Sequence, residues 1–178
     1  MDIITLNFTY TQNEYVKAER QYLVANKTIR KYDPILIAVF TVLSLCYLFL
    51  SSFSIYSIIL LVIILIASAI GCYIYFCMPV LKYKHTSKFH EEYTLFFSKD
   101  GIDFKTPSID SVLQWSVYSE LWESDEFYFL IQVPRVYYTL IPKRAFRTPE
   151  DKQVFEQLGL SNIKNEKRKL NKEPTEKI

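Results

Sequence analysis

The chain is poor in the residues from which most reaction chemistry is assembled. Among its 178 residues are three glycines, three cysteines and two histidines. Gly71, Gly101 and Gly159 stand far apart, so no glycine-rich loop is available to cradle a phosphate. Cys46, Cys72 and Cys77 lack the spacing of a zinc knuckle and lie inside one apolar run, so they offer neither a metal site nor a disulfide framework. They read as small apolar side chains. His90-Glu91-Glu92-Tyr93-Thr94 starts like a zincin helix, but threonine stands where the second histidine ligand is needed. No serine occupies a G-x-S-x-G elbow. The sequence therefore reads as non-enzymatic, with no catalytic, cofactor-binding or metal residue to name.

The most informative absence is of charge. No acid or base falls between Asp33 and Lys82, so the 48 residues from Pro34 to Leu81 are uncharged. One helix of that length would extend about 72 Å, against a hydrocarbon core of about 30 Å. Two antiparallel spans fit better. They are expected at about 34–50 and 57–78, with the turn at Ser51–Tyr56 and Pro79 closing the second span. Lys27, Arg30 and Lys31 precede the run, and Lys82, Lys84 and Lys88 follow it. Basic residues beside a span stay on the cytoplasmic side, so both termini are expected in the cytoplasm of a multi-pass protein with the lipid bilayer as its first partner. Uncharged spans argue against an ion-coupled path. Ala67, Ser68 and Gly71 would let a helix approach closely, within the hairpin or, in a homo-oligomer, from a second copy.

Outside the run the charges nearly cancel, with five bases and four acids in residues 1–33 and sixteen and fifteen in residues 82–178. No nucleic-acid partner is expected from so even a balance. In the first segment, Ile4, Leu6, Phe8 and Tyr10 alternate over Asp2 to Tyr10 as a half-buried strand does. Thr11 and Glu14 have the spacing of a capping box. Tyr15, Ala18, Tyr22, Ala25 and Ile29 then form one apolar stripe of an amphipathic helix.

After Lys88 the period changes to that of strands. Tyr93 to Phe97 and Ile102 to Lys105 flank a Lys99-Asp100-Gly101 turn as a hairpin. A third strand is expected over Ser111 to Val117. A second hairpin, Phe127–Ile131 with Val136–Ile141, turns at Val133-Pro134-Arg135. Thr148 is placed to N-cap a helix with Pro149 at its first position and Gly159 at its C-terminal cap. These elements define an α+β domain, or a small barrel plugged by a helix, over residues 90–160. Those 71 residues are near the size at which a core becomes marginal, so the N-terminal strand is expected to join their sheet. Residues 161–178, with six bases, three acids and few apolar residues, read as a disordered charged tail.

Two charged clusters are candidates for function. Glu120, Glu123, Asp125 and Glu126 read as a charged turn between strands rather than as paired catalytic carboxylates. Lys143, Arg144 and Arg147 follow a strand end and could contact anionic lipid headgroups, worth about 1 kcal/mol per basic residue. The competing reading is that they solvate the strand end or pair with nearby acids. Trp115 and Trp122 read first as packing residues.

Several of these residues also carry a family resemblance. Glu92-Tyr93 with its aromatic strand, Asp100-Gly101-Ile102, Trp115-Ser116, the strand Phe127 to Ile131, and Ile141-Pro142-Lys143-Arg144-Ala145-Phe146 resemble the YcxB-like family of bacterial membrane proteins over roughly Glu92 to Leu158. The resemblance implies a cytoplasmic pleckstrin-homology-like domain tethered to the bacterial inner membrane by a transmembrane hairpin, and transfers no activity. Three functions compete. The first is a membrane-anchored binding or regulatory module that recruits an unidentified membrane or cytoplasmic protein. The second is an immunity or accessory subunit acting through its spans, and the third an enzyme with an unrecognised site.

Overall fold

The computed structural model describes residues 3–30, 32–135, 137–163 and 168–170. It is an α+β protein with two four-stranded sheets. Two compact units divide the chain, residues 1–18 with 86–178 and residues 19–85. The first boundary passes through helix α1 (Gln12–Ala25) rather than at Asp33.

In the first unit, strand β1 (Ile4–Phe8) pairs antiparallel with β2 (Tyr93–Phe97), so the N-terminal strand joins the later sheet as its size required. The alternation is visible as Ile4, Leu6 and Phe8 buried between exposed neighbours. The capping box forms: the Thr11 N–H donates to Glu14 Oε2 at 3.1 Å and the Glu14 N–H donates to Thr11 Oγ1 at 3.3 Å. Strands β3 (Ile102–Lys105) and β4 (Asp110–Leu113) complete the order β1-β2-β3-β4. At the β2–β3 turn a Cβ on Gly101 would stand 2.7 Å from the Leu113 carbonyl oxygen, so no larger residue fits without moving backbone.

The third strand ends earlier than the alternation predicts. Leu113 closes β4, and Trp115–Val117 form a 3₁₀ turn. That turn carries the Trp115 indole inward, where Nε1 donates to the Ser98 carbonyl at 2.9 Å. A strand with no sequence signature follows, β5 (Tyr118–Glu123). It pairs with β6 (Phe127–Gln132), which pairs with β7 (Tyr138–Pro142). A register shift falls between Tyr118 and Glu120, and beyond it Glu120, Leu121 and Trp122 are all buried, so both faces of β5 are covered and no period of two is seen. The acidic stretch is thus half strand rather than a turn.

Helix α5 (Pro149–Asn162) begins where Thr148 Oγ1 accepts from the Asp151 N–H at 3.1 Å. It does not stop at Gly159. That glycine is buried inside the helix, where an added Cβ would lie 3.1 Å from Leu121 Cδ2, so it serves close packing on β5 instead of a cap. Phe155 joins the layers. Its ring lies 5.0 Å from Phe97 of the first sheet and 5.1 Å from Tyr128 of the second. Tyr10 adds a second tie, donating its hydroxyl to the Leu140 carbonyl at 2.6 Å.

Of residues 161–178, expected as a disordered charged tail, six are described, and four of them lie in regular elements. Ser161 and Asn162 belong to α5, and β8 (Arg168–Lys169) runs parallel to β5 to give the order β7-β6-β5-β8. Residues 164–167 and 171–178 lie outside the described residues.

In the second unit, α2 (Asp33–Leu50) and α3 (Ile55–Cys72) pack together around a short turn, and Ser54 caps α3 through the Ser57 N–H. Both segments, Asp33–Leu50 and Ile55–His85, are long and apolar enough to cross a membrane. Ser44 and Ser57 are buried, and their hydroxyls donate to the Thr41 and Ser54 carbonyls of their own chain segment. Gly71 does not take part in a close approach, since a Cβ there would meet nothing within 4 Å.

The second helix does not end at Pro79. A π-helical turn at Tyr73–Cys77 leads into α4 (Met78–His85). Proline cannot donate to the carbonyl four residues back, here that of Tyr75. The Arg20 Nε donates to that carbonyl at 3.2 Å, with the guanidinium 5.2 Å from the Tyr75 ring and 5.3 Å from the Phe76 ring. Buried Glu19 accepts from Lys82 Nζ at 2.8 Å beside it.

Candidate functional site at the end of β7

β7 is an edge strand, which is why it tolerates Pro142 at its end, where it pairs with Phe127. A 3₁₀ turn, Lys143–Ala145, then redirects the chain toward α5, fixed by a 2.8 Å bond from the Lys143 N–H to the Glu126 carbonyl. This corner sets Lys143 against Glu123 of β5 and Arg144 against Glu14 of α1.

Lys143 Nζ donates to Glu123 Oε1 at 2.6 Å and stands 4.8 Å over the Tyr128 ring. Tyr128 donates its hydroxyl to Glu156 and lies 3.4 Å from Glu123. Burial first, then the neighbouring Glu156 and Glu123 carboxylates, push the Tyr128 phenol far above its ordinary range. Arg144 grips Glu14 through Nε and Nη2 and also donates to the Thr9 carbonyl at 2.8 Å. The Arg144 hydrogen bond is the main reason that Glu14 is held down at about 2, with partial burial opposing it and Thr11 assisting. Lys17 pairs with Glu126 at 2.6 Å. Between these pairs lies a shallow depression of about 320 Å³, floored by Phe127 and Pro142 and rimmed by Glu14, Glu126, Lys143 and Arg144.

The geometry separates the three bases. Lys143 and Arg144 are committed to acids of the same unit, which is the pairing alternative foreseen for them. Arg147 is exposed and makes no ion pair with a described residue. The rest of the Ile141–Phe146 motif is structural: Ile141 is fully buried, Ala145 is buried, and Phe146 packs 5.3 Å from Phe155. Trp115 and Trp122 are both buried packing residues, as their first reading had it.

The acid partners were not legible in advance. Glu120 takes Arg135 and Trp122 Nε1, Glu123 takes Lys143, and Glu126 takes Lys17, all across long sequence separations except the tryptophan. Burial raises the Glu120 carboxyl, but the bonds from Trp122 and Arg135 and the charges of Arg135 and Arg168 outweigh it and leave it below its ordinary value. No group of three His, Cys, Asp or Glu among the described residues converges as metal ligands. Chemically the face offers charge pairs, aromatic surface and strand edges.

Residues 97–158, from the end of β2 into α5, match the YcxB-like protein family. The match takes in Glu123, Glu126, Lys143 and Arg144 of the ion-paired corner, but not Glu14 and Lys17. No curated protein and no solved structure matches the chain.

Proposed function

We propose that this chain, with its YcxB-like segment at residues 97–158, is a membrane-anchored, non-enzymatic binding or regulatory module. In this reading α2 and α3 with its continuation cross the bacterial inner membrane as a hairpin and hold a pleckstrin-homology-like domain at its cytoplasmic face. The observation that carries it is the outward display of apolar side chains on both helices. Phe40, Leu43, Phe49, Ile59, Ile63 and Ile66 are each about half exposed or more. Water would penalise such a surface by about 25 cal/mol per Å², and lipid tails would not. Two sheets sharing a core with a C-terminal helix support the pleckstrin-homology-like assignment. The basic flanks support cytoplasmic termini. The mutual commitment of acids and bases at the β7 corner supports binding rather than catalysis, and narrows a lipid contact to Arg147.

A second reading, an accessory or immunity subunit acting through the hairpin, draws on Gly71, whose open face would admit a foreign helix.

Topology is the direct test. With Cys46, Cys72 and Cys77 replaced by serine, single cysteines at Ser54 and at exposed Lys99 should respond oppositely to an impermeant maleimide. Ser54→Cys should label in whole cells, and Lys99→Cys only after lysis. The reverse order would overturn the topology. Release of the protein by alkaline carbonate would overturn membrane anchoring itself.

A further inference from the structure

The excess of positive charge is gathered in the second unit. Residues 19–85 carry six bases and two acids, against fifteen and seventeen in the rest of the chain. Both acids are already engaged. Buried Glu19 holds Lys82, and Asp33 turns its carboxylate to the main-chain N–H of Arg30, which donates at 2.7 Å. Arg20 is committed to the Tyr75 carbonyl and to two rings. Lys27, Arg30 and Lys84 are exposed and make no ion pair with a described residue. In the first unit, by contrast, Lys17, Lys105, Arg135, Lys143 and Arg144 each have a carboxylate partner. The counter-charge of Lys27, Arg30 and Lys84 comes from outside the described residues.

The neighbouring surface says what supplies it. α2 and α3, 18 residues each, pack together around a short turn, so the start of α2 lies level with the end of α3. Tyr32, Tyr73 and Phe76 display their rings at this end, each more than half exposed. Aromatic rings settle at headgroup depth, beside the hydrocarbon that suits the displayed leucines and isoleucines. Lys27 and Arg30 stand just before Tyr32 in the chain, and Lys84 lies about two turns beyond Phe76 on the continuing helix. We propose that Lys27, Arg30 and Lys84 dock the headgroups of anionic phospholipids at this end of the hairpin. The Arg30 guanidinium presents a planar fork that matches two phosphate oxygens, while Lys27 and Lys84 act as point charges. An acidic protein segment would answer the same charges but leave the adjoining rings and apolar helix faces uncovered. A bilayer covers all of them together.

The inference rests on the membrane-anchored reading and names the lipid class that reading leaves open. The full chain is reconstituted in phosphatidylcholine bilayers with a trace of phosphatidylglycerol or phosphatidylcholine spin-labelled on its acyl chain. Electron spin resonance separates lipid immobilised on the protein from bulk lipid. The wild type should select phosphatidylglycerol over phosphatidylcholine at least about fivefold, the weight of one base near an anionic surface. Raising salt from about 0.1 to about 1 M, which shortens the screening length from about 10 to about 3 Å, should lower that preference at least about twofold. The combined variant Lys27→Gln, Arg30→Gln and Lys84→Gln should lose the preference. Lys99→Gln, Lys105→Gln and Lys169→Gln together, all exposed and in the first unit, should retain it. The proposal falls if salt leaves the preference unchanged, or if the first-unit variant loses as much of it as the other. The two wild-type measurements decide the matter even where a variant misfolds by far-ultraviolet circular dichroism. Immobilised lipid without preference in the wild type overturns this inference alone. Absence of any immobilised lipid overturns the membrane-anchored reading with it.

Discussion

The hairpin unit and the two-sheet unit use the same apolar residues in opposite ways. Ile63 of α3 is 58% exposed, whereas Ile102, Ile131 and Ile141 of the sheets are fully buried. In the two-sheet unit, aromatic rings converge on Phe155 and the charges outside pair with one another. Along α2 and α3 only Ser44 and Ser57 are buried, and the large side chains point away. A fold that buries its large residues is organised by water. The hairpin, which buries its serines and displays its isoleucines, has two helices long and apolar enough to cross a membrane. Substitutions that remove apolar atoms should therefore act very differently in the two units.

The largest difference is expected at Phe155. Phe155→Ala removes the ring shared by Phe97, Tyr128 and Phe146 and should cost about 3–5 kcal/mol. Ile63→Ala, on the displayed face of α3, should leave the same transition unmoved. Both tryptophans, Trp115 and Trp122, lie in the two-sheet unit, so urea unfolding in detergent followed by tryptophan fluorescence reads that unit alone. Equal effects of the two substitutions would show that the contrast in burial has no energetic meaning.

Glycine offers a smaller version of the same contrast. Gly101→Ala puts a methyl group 2.7 Å from the Leu113 carbonyl oxygen, a fixed backbone atom. Accommodating it should cost about 1–3 kcal/mol, read as a lower urea midpoint. Gly71→Ala meets open space in a helical segment and should be neutral or stabilising by about 0.5–1 kcal/mol, read by thermal loss of helix signal. A destabilising Gly71→Ala would mean that this face is already occupied, which would favour the accessory-subunit reading.

What could be read in advance follows the same division. The uncharged run, the capping box at Thr11 and Glu14, β1, both hairpins and the Thr148 cap are local patterns of periodicity or spacing, and each appears in the structure. β5 was hidden because both of its faces are covered beyond the bulge, which removes the alternation by which a strand is recognised. Gly159 looked like a cap because sequence shows a glycine near a helix end but not Leu121 pressed against it. Pro79 looked like a stop because the donor that answers the freed carbonyl, Arg20, is 55 residues away. At the candidate site, the bases were visible as a cluster and their partners were not. Glu14 is 130 residues from Arg144, and no local rule spans that distance. The short strand Arg168–Lys169 was hidden for a different reason, since it pairs through main-chain groups and one stacked guanidinium rather than through apolar content.

The smallest effect tests that long-range pairing. The Glu14 carboxyl falls from its ordinary 4.5 to about 2 in the folded protein, chiefly through the hydrogen bond from Arg144. A carboxyl with a lowered folded pKa contributes stability above its unfolded pKa, and that contribution is lost as pH falls toward the folded value. Glu14 should therefore add nothing near pH 2 and its full amount above about 4.5. Arg144 is half exposed, so solvent screening limits the amount to about 1 kcal/mol. Urea midpoints of the wild type and Glu14→Gln should coincide near pH 2, separate as pH rises to about 4.5, and remain parallel above it. Subtracting the two curves removes the titration of every other acid, including the similarly lowered Glu120. A difference that stays constant across the whole range would mean that Glu14 acts only as the helix cap with Thr11, and that the corner holds without its ion pair.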